Sequence, residues 1–319
     1  MEVKELSELL NKNFNKLFTP NRYKHILNRG NNLIRLDIVN RMLVELQYDN
    51  AFDLRTSDEW LLENRGIVKK EKPIYLIIPK YKYEYIDKET GKTIDNKELS
   101  IGEINKAIEY NIIERVDTID NMYTIPVFDI RQTYSLDKSK YNINKPIISS
   151  KKLLEIMHNI TMCNIEICED TYYSKSDNIL YLKKQPYSEL VITISEYLAQ
   201  YYIDNDLKKL IDIPQNISYK DLTEYDIDLI KQSLIFAIVT LLGGKIDINF
   251  DIINYTTNDK AILILNIVDS MLIEISTKLK FTNTSHIMDV SSNINMLKKA
   301  EALLDIMEAN NINKIMKGA

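Results

Sequence analysis

The chain of 319 residues has few of the residues that punctuate or cross-link a fold: seven Gly, seven Pro, two Cys, three His and a single Trp. Two cysteines build no disulfide framework. Cys163 and Cys168 stand five apart on an expected strand, which sends them to opposite faces, so they read as ordinary thiols. His25, His158 and His286 are scattered, and none has a partner at metal-ligand spacing, so no His-based zinc site or catalytic triad is supported. No apolar run approaches the roughly 20 residues of a bilayer-spanning helix. The longest, at 234–242 (LIFAIVTLL), fits a buried core helix. The opening residues, MEVKELSELLNKNF, are charged and amphipathic and lack a signal-peptide apolar segment, so cytoplasmic residence without membrane association is expected.

What is present is Ile, Asn, Lys and Tyr in excess, with 20 tyrosines, the composition of an AT-rich genome such as a low-GC bacterium, its mobile elements or a phage. Hydrophobic residues at 45% and charged residues at 27% suit a globular chain with a full core, of one large domain or two ordinary ones. The net charge is −5, divided unevenly: residues 1–150 hold 24 basic and 23 acidic side chains, residues 151–319 hold 17 and 23. Every arginine lies at or before Arg131. Guanidinium groups suit bidentate phosphate contacts and stacking on bases, so the asymmetry points to a nucleic-acid surface in the first half. Local salt bridges with the nearly equal number of acids are the alternative.

Apolar periodicity predicts helices at 3–17, 32–47, 101–110, 151–159, 187–203, 221–242, 259–280 and 288–309. A further helix starts at Ser57 as N-cap, with acids in its first turn and Gly66 as C-cap. Strands are expected at 74–78, 122–129, 164–168, around Tyr172 and at 179–182, with turns at 87–92 and 174–178. The segment 135–149 has few large apolar residues and is the expected linker between domains at 1–134 and 150–319. The class is α+β, with a mixed first domain and a mostly helical second domain carrying a small sheet.

Three segments carry a resemblance: NNLIRLDIVNRMLVELQ (31–47), DEWLLENRGIVKKEKPIYLIIP (58–79) and IPVFDIRQTY (125–134). In order and spacing they resemble the plasmid antirestriction proteins of the ArdC/LtrC type, which join a single-stranded-DNA-binding domain to a zincin-like metallopeptidase domain. VFDIRQT is the most specific piece, and Trp60 before IVKKEK the next. One departure is Glu71, where the family usually has Gly. In the second half, TYYSKSDNILYL (171–182) is similar to the family's strand hairpin, and YSELVITISEYLAQYY (187–202) to its active helix.

An H-E-x-x-H helix sets two imidazoles on one face for zinc, with the Glu as general base. The resemblance places Ser195, Glu196 and Ala199 at those positions. It places Gln232, in LIKQSLIFAIVTLLGG (229–244), where a Glu would be the third ligand. Taken alone, S-E-Y-L-A is also an ordinary amphipathic helix. With all three ligand positions changed, the resemblance implies a pseudo-metallopeptidase with no metal and no cofactor, and Glu196 without a metal-bound water to deprotonate.

Two functions follow as expectations. The first domain binds single-stranded DNA, with Arg22, Lys24, Arg29, Arg35, Arg65, Lys69, Lys70 and Lys72 on phosphates and Tyr23 and Trp60 under bases. In the alternative, the inactive peptidase groove, flanked by Tyr172, Tyr173 and Tyr181, holds a protein partner by strand addition in a virion or transfer complex.

Overall fold

The N-terminus forms three helices where two were expected: α1 (Val3–Leu17), α2 (Pro20–Asn32), which apolar periodicity did not predict, and α3 (Ile38–Gln47). A computed structural model describes residues 1–32, 36–49, 51–94, 100–136, 148–205, 207 and 221–278, with the side chains of 29–32, 83, 101, 117, 118 and 278 left aside. Pro20 opens α2. Its fixed φ suits the first helical position, where a missing N–H costs nothing. The second expected helix therefore begins later than residue 32, at Ile38, where Asp37 accepts a hydrogen bond from Asn40 N.

The next elements are β1 (Leu54–Arg55), α4 (Ser57–Leu62), β2 (Arg65–Ile67), β3 (Ile74–Asp87), β4 (Thr93–Ile94), α5 (Ile101–Glu109), β5 (Ile113–Asp129) and β6 (Thr133–Ser135). The N-cap of α4 is Thr56 rather than Ser57, because Thr56 and Glu59 close a capping box. Gly66 is not a C-cap. It lies in β2, opposite Tyr134 of β6. β3 pairs with β5 along its whole length, from Ile74 opposite Val127 to Asp87 opposite Ile113, with a bulge at Lys80/Tyr81. The ribbon thus runs well beyond the expected strands, as the alternation K-Y-K-Y-E-Y at 80–85 allows.

The second half contributes α6 (Ser150–Thr161), β7 (Asn164–Cys168), β8 (Tyr172–Ser174), β9 (Ile179–Lys183), α7 (Tyr187–Asn205), α8 (Glu224–Leu241), a 3-10 turn (Asp251–Tyr255) and α9 (Asn258–Lys278). β9 is central in a three-stranded sheet, parallel to β7 and antiparallel to β8. The helix expected at 288–309 and most of the expected linker, 137–147, lie outside the described residues. The class is α+β.

The expected division at 135–149 does not separate the cores. The larger core joins Leu6, Leu10, Tyr23, Ile26, Leu27, Met42 and Leu43 of α1–α3 to Val191, Ile194, Leu198, Leu234, Ile238 and Leu265 of α7–α9. The smaller one, with Leu36, Val44, Leu54, Ile74, Leu76 and Val127, lies between α3 and the β3–β5 ribbon. Polar contacts cross the halves as well. Tyr23 Oη meets Ser233 Oγ at 2.9 Å, and the buried Arg41 guanidinium pairs with Asp269.

α3 also closes the sheet. The stretch of β3 around Tyr75 and Ile77 has β5 on one side only, and a free edge leaves N–H and C=O groups without partners. Asn40 Nδ2 donates to Ile77 O at 2.9 Å and Asn40 Oδ1 accepts from Ile77 N at 2.8 Å. Gln47 repeats this two turns on, donating to Tyr75 O at 2.9 Å and accepting from Tyr75 N at 3.0 Å. Two side-chain amides stand in for a neighbouring strand.

Candidate nucleic-acid interface

The motif VFDIRQT ends β5 and enters β6. Asp129, Gln132 and Thr133 are buried and bond to backbone, while Arg131 is exposed. Asp129 is fully buried. Its Oδ2 accepts from Phe52 N and Asp53 N, and its Oδ1 from Arg131 N at 3.0 Å. Gln132 Oε1 accepts from Asp129 N at 2.8 Å, while Gln132 Nε2 donates to Lys72 O at 2.8 Å and Glu71 Oε2 at 3.0 Å. Thr133 Oγ1 donates to Ile130 O at 2.7 Å and accepts from Arg65 Nε at 2.7 Å. The most specific motif is therefore a clamp on the segment after β2.

That segment turns at Val68–Glu71, where Glu71 N donates to Val68 O at 3.1 Å. Lys70 takes φ +77°, the left-handed region that Gly enters freely and Lys does not. The turn exposes Lys69, Lys70 and Lys72, which form no ion pair among the described residues. Glu71, the one acid between them, is held by Gln132.

The other expected contacts divide. Arg65 is half-buried, with its guanidinium over the Trp60 ring. Trp60 is fully buried: Nε1 donates to Phe128 O at 2.8 Å and Arg55 stacks over its ring at 5.0 Å, so it has no free face for a base. Tyr23 is also fully buried, against Phe250, and burial raises its phenol far above the usual range despite the Ser233 hydrogen bond. Base stacking by either ring is thereby corrected. The sequence shows their amphipathic setting but not that both ring faces are covered. Lys24 is paired with Asp247 at 2.7 Å and lies over the Phe236 ring. Arg22 is half-buried on α2, which packs on α3, α8 and the 3-10 turn, whereas the lysine turn adjoins β2, α4 and β6. Arg35 and the Arg29 side chain lie outside the described residues.

The helix that the resemblance aligns with a zinc-binding helix is α7. Ser195 is buried and donates to Val191 O at 2.7 Å within its own helix. Ala199 is buried, and Glu196 is exposed. Gln232 of α8 donates to Asp228 at 2.9 Å, and its Oε1 is buried without a hydrogen-bond partner. A hydroxyl committed to a carbonyl, a methyl group and a neutral amide do not fit zinc. Among the described residues, no group of three His, Cys, Asp or Glu is placed to hold a metal ion. Beside α7, the outer strand β8 exposes Tyr172, stacked on Tyr181 at 4.6 Å, and Tyr173, edge-on to Tyr197 at 5.0 Å.

No family model matches the chain. No curated protein matches it either. Among solved structures, two of the antirestriction protein ArdC from plasmid R388 are similar. The metal-free form has a TM-score of 0.40 and 10% identity, over 81% of this chain and 97% of that one. The Mn(II)-bound form has a TM-score of 0.39 and 12% identity, over 77% and 84%. They are of the type that residues 31–47, 58–79 and 125–134 resemble. The manganese belongs to that protein. No helix among the described residues is long and apolar enough to cross a membrane.

Proposed function

We propose that this chain is a non-catalytic protein of a mobile element or phage that binds single-stranded DNA and serves antirestriction or DNA transfer. The observation that carries the reading is the clamped turn. Three exposed lysine amines, without ion pairs among the described residues, stand on a backbone fixed by Asp129 and Gln132. Cations held in place attract phosphates at little ordering cost, and displaced counterions make such binding salt-dependent. The antirestriction role rests on the motif resemblance. The absence of catalysis rests on the donor chemistry of Ser195, Ala199 and Gln232.

The test is fluorescence anisotropy of the full chain with a labelled ~20-mer single strand and the matching duplex at two salt concentrations. Salt-sensitive binding that prefers the single strand, and that falls when Lys69, Lys70 and Lys72 are changed to Gln, is expected. No binding at low salt overturns the reading. The second reading, capture of a protein partner by strand addition, is favoured by the outer position of β8 and its exposed tyrosines.

A further inference from the structure

We infer that Tyr134 is a platform on which an unpaired base stacks, so that the lysine turn recognises single strands through a base as well as through phosphates. The inference rests on the DNA-binding reading and replaces the two buried rings expected to do this work. Tyr134 is the central residue of β6, directly opposite Gly66 of β2. Its ring lies on that glycine so closely that a Cβ at position 66 would meet Tyr134 Cζ at 2.7 Å. A side chain at 66 would lift the ring, and glycine lets it lie flat on the backbone. The ring is thereby supported from beneath, yet Tyr134 remains 51% exposed. A ring held in place and open to solvent loses little entropy when a base settles on it.

The surroundings fit the same ligand. Leu62, Val68 and Leu136 are exposed on adjoining segments and give the platform an apolar margin. Val68 N donates to Gln132 O at 2.9 Å, which continues the β2–β6 ladder toward the turn. Lys69 is three residues beyond Gly66, about 10 Å at the rise of an extended strand. An aromatic platform beside exposed cations is the pairing that single-strand binders use, because every base has a face to stack. The β3–β5 ribbon also exposes Tyr81 and Tyr123, but there Lys82 is paired with Glu84, and Glu114 and Asp120 are exposed beside Lys80 and Arg115. A duplex offers Tyr134 no unstacked base, and a polyanion without bases offers it nothing.

The experiment measures the full chain and its variants against a ~20-mer single strand, the same strand with abasic positions, and the duplex. Y134A is expected to bind the single strand about tenfold more weakly with an unchanged salt dependence, the loss of one stacked base. K69Q instead lowers the salt slope by about one ion. Y134W is expected to keep the affinity and to show emission quenched by the single strand but not by the abasic strand. It also controls for folding, since the ring is retained. Y134A and Y134W binding like the unaltered chain, without quenching, overturns the platform while the DNA-binding reading stands. No nucleic-acid binding by the unaltered chain overturns the reading itself. Self-association that depends on Tyr134 and Leu62 in sedimentation, without quenching by DNA, assigns the patch to a second copy of the chain and overturns the inference.

Discussion

The side-chain amide of Gln132 is bonded at once to the Lys72 carbonyl and to the Asp129 N–H, at 2.8 Å each. One residue of the β5–β6 junction thus fixes a turn some sixty positions earlier. Replacing it with Ala leaves the buried Asp129 N–H and the partly buried Lys72 carbonyl without this partner, a cost of about 2 kcal/mol. Urea unfolding of Gln132→Ala should show that loss, with weaker single-strand binding. Gln132→Glu accepts from Asp129 N but cannot donate to Lys72 or Glu71, and should not restore either property.

Lys70 holds a left-handed backbone at φ +77°. A non-glycine residue there carries strain of about 1 kcal/mol. Lys70→Gly is expected to raise the urea midpoint while lowering the salt slope of DNA binding by about one ion. An unchanged or lower midpoint would refute the strain.

Trp60 packs between Arg55 and Arg65 and donates to Phe128 O. Trp60→Phe should cost about 2 kcal/mol of stability through the lost hydrogen bond and volume, and leave DNA affinity unchanged. As the only tryptophan, its emission should resist acrylamide and ignore added single strand. Quenching by DNA would return the ring to the interface.

Asp226 caps α8 and ties it to α9. Burial pushes its carboxyl up, but donors from Lys260, Thr223 and Thr256 outweigh burial and hold it below its ordinary value of 3.8. A carboxylate depressed in the folded state stabilises above its unfolded pKa, and that contribution disappears as pH falls through the folded value. Asp226→Asn should therefore be less stable than the unaltered chain at pH 7, with the gap closing below about pH 4. A gap that persists at pH 2 would show packing, not charge, at work.

The shared core predicts how the chain responds to division. A fragment of residues 1–136 loses the second-half part of the core to which Tyr23, Ile26, Leu27, Met42 and Leu43 belong. It should bind an apolar dye and unfold without a sharp transition. Cooperative unfolding of that fragment would establish the independent first domain expected from the sequence.

Much of this molecule was legible because it is written locally. The stripe Leu6, Leu10, Leu17 makes α1 in any context with an apolar partner, the run at 234–242 needs burial, and Ser195 and Ala199 offer no imidazole whatever surrounds them. Other properties depended on residues far along the chain. An amphipathic helix shows that Trp60 and Tyr23 have an inner side, but Phe128, Ser233 and Phe250 close over them. Gln132 reads as polar until Lys72 stands beside it, and Tyr134 reads as one of 20 tyrosines until Gly66 lies beneath it. Periodicity and residue chemistry are properties of neighbours in sequence, so the sequence determined most of the helices and which residue types stand on α7 and α8. Burial, pairing and exposure are properties of neighbours in space, so only the tertiary structure decided that one core joins the halves and which cations and which ring face the solvent.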